Sequence, residues 1–413
     1  MADRKFTLTN RTGRWFIIAG ALMLLVFFVT IVIPTLIDLW QTPLGPGLGF
    51  ETTPSPQAPA LSVVQLTPES STQTPEQEPI NLPAATEDLS PTLTPVPMPT
   101  YTPHAYCGDT PSMLILAIGI DYRKGTYTYG LADVIRLVKV DFITPRVSVL
   151  SIPRDLWVEV PEISDHYGIT HAKLNQSYFY GTPAMGYYDG PGGGAGLLAR
   201  TLELNFGVQP EHYGVVNMKI LIEMIDAIGG VDIYLPWQID ARESPESEEK
   251  WKIYEAGWNH LNGSRAVYYA RIRKLDSVFG RMDRQTEILC AVKNKLLSPS
   301  TLMGIPDMIA VFSDNVLTDL SPAQLSQLAC LAPQLSPENI VFARLPEDEL
   351  KGTSIYNPQM KINDFIWDVD NAKIRQYIAD FLAGTWPPPP IEGETADTHD
   401  GETQQLCPVY PSR

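Results

Sequence analysis

The sequence predicts an α/β domain, a central mostly mixed β-sheet sandwiched by helices, preceded by one transmembrane helix and a disordered Pro-rich stalk. Three observations predict it. Short apolar runs of strand length alternate with segments of helical apolar spacing after residue 107. One uncharged run near the N-terminus is long enough to cross a bilayer. The 37 prolines are spread unevenly, so the composition changes along the chain.

Residues 1–14 are expected to be a cytoplasmic N-terminus and residues 15–40 the transmembrane helix. From Trp15 to Ile37 no residue is charged. At about 1.5 Å per residue, such a stretch spans a hydrocarbon core of roughly 30 Å. Arg4, Lys5, Arg11 and Arg14 precede the span, and the next basic residue is Arg123, which places the chain beyond Trp40 outside the cytoplasm. A cleaved signal peptide has a shorter apolar region, about 7–15 residues. The expectation is therefore a single-pass cell-membrane protein with an extracytoplasmic C-terminal domain.

Residues 41–106, rich in Pro, Thr and Ser, read as a disordered extracytoplasmic stalk, because such a sequence buries too little apolar surface to offset ordering entropy. Residues 107–385 read as the folded domain and residues 386–413, beginning near WPPPP, as a Pro-rich tail. The net charge of −17 argues against a nucleic-acid partner. Cys107, Cys290, Cys330 and Cys407 contain no C-x-x-C pair, so a structural zinc site is not expected. Four cysteines allow three pairings, and 107–407 with 290–330 is the working expectation.

Within the domain, 112–120, 134–140, 147–152, 231–235 and 340–345 read as strands. Helices are expected over 195–205, 219–228, 262–270, 281–297, 323–331 and 372–382. Polar residues gather at element ends: Asp121 and Arg123 after the first strand, Asp133 at the second, Arg154 and Asp155 after the third. Ligands commonly sit beyond the carboxyl ends of strands in open α/β sheets, and Asp121 with Arg154 meet that condition if their strands run parallel.

A second concentration, YYARIRKLDSVFGRMDRQ, holds Arg271, Arg273, Lys274, Arg281 and Arg284 in an acidic chain. Arg281 and Gln285 share a helix face near an N-terminus, where exposed N–H groups favour an anion. Guanidinium forks suit phosphate oxygens. A solvated face paired with nearby carboxylates is the competing reading. Should Asp121 and Asp133 lie beside these arginines, Mg²⁺ between carboxylates and phosphates becomes the natural reading. The glycine-rich 190–196 segment reads as a turn, since no Lys-Ser or Lys-Thr pair comes after it. Tyr178, Tyr180, Tyr187 and Tyr188 fit sugar stacking or core capping equally.

These residues resemble the LytR-CpsA-Psr family through LILAIGIDYR, LADVIRLVKVD, VSVLSIPRDLWV, HAKLNQSY, MIDAIGGVDIYL, GWNHLNGSRAVYYARIRK and FGRMDRQ. The resemblance implies a Mg²⁺-dependent phosphotransferase moving a glycopolymer from a polyprenyl-pyrophosphate carrier to a cell-wall glycan, such as peptidoglycan. It assigns Asp121 and Asp133 to the metal. Arg154, Arg271, Arg273, Arg281 and Gln285 fall to the pyrophosphate, with Arg123 and Lys173 nearby. It also implies a hydrophobic tunnel for the lipid, for which 220–228 and 197–204 are candidates. A polyprenyl-pyrophosphate hydrolase and a weakly catalytic glycan-binding protein are the alternatives. Two positions depart from the family pattern: Leu131, where an arginine is usual, and Val278, where an aspartate often stands.

Overall fold

The computed structural model describes residues 23, 26–50, 104–273, 278–296, 315–357, 361–387, 404–405 and 407. The described residues belong to one compact unit, and residues 51–103 lie outside them.

The domain is built on β1 (Ser112–Ile120), β2 (Ala132–Asp141), β3 (Arg146–Ile152), β4 (His212–Asn217), β5 (Leu317–Thr318) and β6 (Ile340–Arg344). They lie in the order β5-β4-β1-β2-β3-β6, with a two-residue edge strand β7 (Gln404–Gln405) beyond β6. β1–β2 and β2–β3 are antiparallel, while β1–β4 and β3–β6 are parallel, so the sheet is mixed. Because β2 runs against both neighbours, β1 and β3 point the same way. Asp121 and Arg154 thus leave the sheet at one end, where β2 enters.

Period-two alternation assigns the two faces. Leu116, Ile118, Ile135, Leu137, Leu150 and Ile152 meet α2 (Leu174–Tyr180), α3 (Gly193–Phe206) and α8 (Asn371–Ala383) in the main core. Met113, Ile115, Val140 and Phe142 pack instead with Leu320 and with Leu331 of α7 (Pro322–Leu331), and Val149 and Phe342 with Cys290 of α6 (Val278–Leu296). A second lobe buries Ile225 of α4 (Met218–Ala227), Val231, Ile233 and Leu235 with Leu261 of the antiparallel strands Val231–Leu235 and Gly257–Leu261, Ala266 of α5 (Gly263–Tyr269) and Ile288 of α6.

The expected strands and helices are all present within a few residues. β4 was not expected, although it pairs along β1 inside the sheet, because HYGVVN is short and interrupted by glycine. The antiparallel pair Lys351–Asn357 with Ile362–Asp368 was also missed.

The glycine-rich stretch opens α3 as a close-packed turn. A Cβ at Gly196 would stand 1.9 Å from the Pro191 carbonyl oxygen, and one at Gly194 2.7 Å from that of Tyr178. The start of α3 is therefore filled by its own neighbours.

Three expectations need correction. The stalk was expected from residue 41, yet residues 44–50 pack on the domain. Leu48 is buried, the Leu44 N–H donates to the Leu320 carbonyl (3.2 Å), and the Tyr213 hydroxyl donates to the Pro46 carbonyl (3.0 Å). Apolar residues spaced among the glycines of LGPGLGF carry this docking, which composition alone conceals. The tail is likewise tied down, by Trp386 against Tyr377 (4.7 Å between ring centres) and by β7 on β6.

The cysteines pair 107–330 and 290–407, not as expected. Tertiary packing explains the choice. Cys107 precedes β1, whose Met113 shares a cluster with Leu331, the residue after Cys330. Cys290 is buried on α6 against Phe342 of β6, the strand that pairs with Gln404–Gln405 just before Cys407.

Residues 15–22, 24 and 25 of the expected membrane span lie outside the described residues, and no described helix is long and apolar enough to cross a membrane. The described part, including the helix α1 (Ile33–Gln41), exposes Phe27, Phe28, Ile31, Leu36 and Trp40.

Candidate functional site

The site forms where β1 ends, β2 begins and β3 ends, under the N-terminus of α6. Register places Asp133 there in an unusual way. Gly119 pairs with Val134 and Ile120 with Ala132, so Asp133 is an extra, unpaired residue. Such a bulge breaks the alternation and re-aims a side chain at the end of a strand. Ala132 and Ile135, an odd number of residues apart, consequently face the same core.

Asp121 is fixed by its own backbone loop: its Oδ1 accepts the Leu131 N–H at 2.8 Å. Asp133 accepts a hydrogen bond from Arg154, which also donates through Nε to Asp155 at 3.2 Å. Burial pulls the Arg154 pKa down, and the carboxylates of Asp133 and Asp155 more than offset this, leaving it above the ordinary arginine value. Arg154 is a locked cation.

One cavity of about 650 Å³, including its open mouth, is lined by Asp121, Asp133, Arg271, Arg273, Arg281 and Gln285. Its apolar wall comes from Ile120 and Val134 of the sheet, Met218 and Leu221 of α4, and Val267 and Ala270 near α5. A narrow recess, about 270 Å³ only when its open mouth is included, shares Asp133, Arg281 and Gln285 and adds Arg154, Ser151 and Arg136. The two clusters that sequence separated by more than a hundred residues therefore meet. The competing reading of 271–285 as a solvated face fails for Arg281, which is buried. Burial first, then the like charge of Arg154, lowers the Arg281 pKa to about 10, so it remains a cation at neutral pH.

Helix caps hold these elements in place. Asn262 accepts the Arg265 N–H (2.9 Å) at the start of α5, whose far end delivers Arg271. Asn217 accepts the Ile220 N–H (3.0 Å) at the start of α4.

Not every expected residue reaches the cavity. Lys173 donates to Asp364 at 2.6 Å and stands 3.5 Å from Asp155, so two carboxylates already hold it. Arg123 is exposed on the loop after Asp121 and lines neither cavity. Asp155 lies between Arg154 and Lys173 and does not line the cavity either. The two lipid-tunnel candidates, for each of which ordinary core was the competing reading, differ. Leu221 of α4 lines the cavity, but Leu197, Leu198 and Leu202 of α3 are core. Tyr178 and Tyr188 are buried core residues, while Tyr180 and Tyr187 are half-buried and stacked at 5.8 Å.

Sequence reasoning missed Arg136, Ser151 and Asn217, all at the cavity walls. An arginine between Ile135 and Leu137 in a mostly apolar strand, VIRLVKV, was the available signal for the first.

Among the described residues, no group of three or more His, Cys, Asp or Glu side chains is placed to hold a metal. Asp121 and Asp133 on one cavity nevertheless fit Mg²⁺, which takes one or two carboxylates and completes its shell with substrate oxygens and water.

Comparison with known proteins agrees with this architecture. The chain is 31% identical over 216 residues, 52% of its length and 61% of the relative's, to polyisoprenyl-teichoic acid–peptidoglycan teichoic acid transferase TagU of Oceanobacillus iheyensis. It is 27% identical over 216 residues, 52% of its length and 58% of the relative's, to regulatory protein MsrR of Staphylococcus aureus. The chain thus spans about three fifths of the length of these relatives. A crystal structure of a Streptococcus agalactiae protein shares the fold, with a TM-score of 0.51 at 21% identity, covering 66% of this chain and 88% of that one. Residues 88–372 match the LytR_cpsA_psr family, and the chain belongs to it.

Proposed function

We propose that the chain is a membrane-anchored phosphotransferase that moves a glycopolymer from a polyprenyl-pyrophosphate carrier to a cell-wall glycan. The observation that carries this reading is one cavity in which Asp121, Asp133, Arg271, Arg273, Arg281 and Gln285 adjoin an apolar wall. A charged diphosphate and a greasy tail need those two linings side by side. The name of the Oceanobacillus iheyensis relative, a polyisoprenyl-linked teichoic acid transferase, supports the substrate class.

In this mechanism Arg271, Arg273 and Arg281 donate to the non-bridging oxygens of the diphosphate, and Gln285 adds a neutral donor one helical turn from Arg281. When bound, Mg²⁺ at Asp121 and Asp133 supplies charge neutralisation of the phosphates. A hydroxyl oxygen of the acceptor glycan forms the new bond to the polymer-side phosphorus. The bond from that phosphorus to the bridging oxygen breaks, and polyprenyl phosphate leaves with the electron pair. The hydroxyl proton passes to solvent. Asp155, held by Arg154 and Lys173, orients Arg154. Positioning and preorganised positive charge carry the rate, as in phosphoryl transfer generally.

The anchor is assigned to residues 15–40, with the domain outside. Support comes from the uncharged run, from the exposed apolar side chains of residues 26–40, and from the two disulfides, which persist in oxidising compartments.

The test uses the full chain in detergent with a synthetic polyprenyl-pyrophosphate glycan. Asp121→Asn and Arg271→Ala are expected to keep the fold and lose at least about a hundredfold in Mg²⁺-dependent release of polyprenyl phosphate. Wild-type turnover in both variants would remove the site. Release that proceeds equally without glycan acceptor, with water in the product, would make the protein a hydrolase instead.

A further inference from the structure

Arg136 is the buried cation that the reaction scheme leaves unused. It lies inside β2, between Ile135 and Leu137 of the main core, and faces the opposite side of the sheet toward α6. Only 3% of its surface is exposed. One guanidinium nitrogen, Nη2, donates to the Thr286 hydroxyl at 3.2 Å. Nε and Nη1 are buried and have no hydrogen-bond partner among the described residues.

A guanidinium buried this way costs free energy unless something compensates it. Asp283 exerts an attraction on it, but that carboxylate is also 3.3 Å from Arg344. The recess beside Arg136 adds to the imbalance: three arginines, Arg136, Arg154 and Arg281, line it against the single carboxylate of Asp133. Asp133 is already engaged by Arg154. Arg281 repeats the pattern, buried and with an unpartnered Nε. Two under-compensated guanidiniums thus border one recess that opens onto the same Asp133, Arg281 and Gln285 as the larger cavity.

We infer that Arg136 is the inner guanidinium of the anion site, completing its hydrogen bonds only when a diphosphate group is bound. This rests on the proposed phosphate site and adds to it a residue that acts from beneath the sheet end. The unliganded protein carries the desolvation cost of Arg136, and a bound phosphate oxygen relieves it, so the site is preorganised for an anion. The same arrangement makes Arg136 a stability liability without ligand, since an apolar residue of similar volume would remove an uncompensated buried charge.

That pairing of opposite effects is the test. Arg136→Met in the full chain is measured for inorganic pyrophosphate affinity by calorimetry, with and without Mg²⁺, and for melting temperature without ligand. The expected result is a Kd weakened about ten- to a hundredfold, the scale of a charge-assisted hydrogen bond, with an unchanged or raised Tm. A Kd within about twofold of wild type overturns the inference. A lowered Tm overturns it too, because Arg136 would then be a structural partner of Asp283 and Thr286. If the Met variant does not fold, Arg136→Lys is read in its place: a Kd weakened about tenfold supports the inference, and a wild-type Kd defeats it. A wild-type chain that does not bind pyrophosphate sinks the phosphate site itself, whereas wild-type binding that survives the loss of Arg136 sinks this inference alone.

Discussion

The two faces of β2 are made of the same strand and obey different rules. On one face Ile135 and Leu137 sit in a dry cluster with Leu116, Leu150 and Leu202, all buried. On the other, one residue out of phase, Arg136 meets Thr286, and the bulge residue Asp133 meets Arg154. The first face gains from burial at about 25 cal/mol per Å² of apolar surface and asks nothing of a ligand. The second holds a cation, Arg136, whose hydrogen bonds are incomplete among the described residues. The contrast teaches that at the site end of β2 apolar burial and anion affinity are drawn from opposite sides of one strand, so mutations there can separate them.

The largest effect is expected where the dry face is emptied. Leu137→Ala should lose about 2–5 kcal/mol in denaturant unfolding, because a fully buried side chain leaves a cavity behind. Pyrophosphate affinity of the folded fraction should stay within about twofold. A large affinity loss in that variant would break the separation between the faces.

Next comes the staple behind the charged face. The Cys290–Cys407 bridge closes a segment of 117 residues and ties α6 to the edge of the sheet. The double substitution Cys290→Ser with Cys407→Ser should cost about 2–4 kcal/mol of stability, since the unfolded chain regains the freedom of that loop. It should also weaken pyrophosphate binding, because α6 positions Arg281 and Gln285; unchanged binding would show that packing alone fixes the helix.

The smallest effect belongs to the surface. Lys219 and Glu223 pair at 2.5 Å across one turn of α4, both about half exposed. Lys219→Ala should change stability by no more than about 0.5 kcal/mol and leave binding alone. A larger loss would mean that this face of α4 is buried by something else in the working protein.

Some of this was legible from residues in order. The strands at 112–120 and 147–152 follow from apolar run length, and the arginine cluster from its density in an acidic chain. Asp133 was found as a polar residue at a strand end, but its bulge was not, because an extra residue in one strand is a property of the pair. β4 was hidden by its shortness; its pairing with β1 on one side and β5 on the other exists only in the folded sheet. Lys173 failed as a cavity residue because Asp364 lies 191 positions away and no local pattern reveals such a carboxylate.

By itself the sequence determined what is local or summed: the α/β alternation, the apolar run near the N-terminus, the change of composition, and the residue types able to hold a diphosphate. Only the tertiary structure decided the disulfide pairs, the docking of residues 44–50, the burial of Arg136 and the meeting of Asp121 with Arg281. The division has a physical cause. Periodicity and hydropathy are carried by neighbouring residues, whereas partnership between distant side chains exists only once sheet order and helix packing have brought them together.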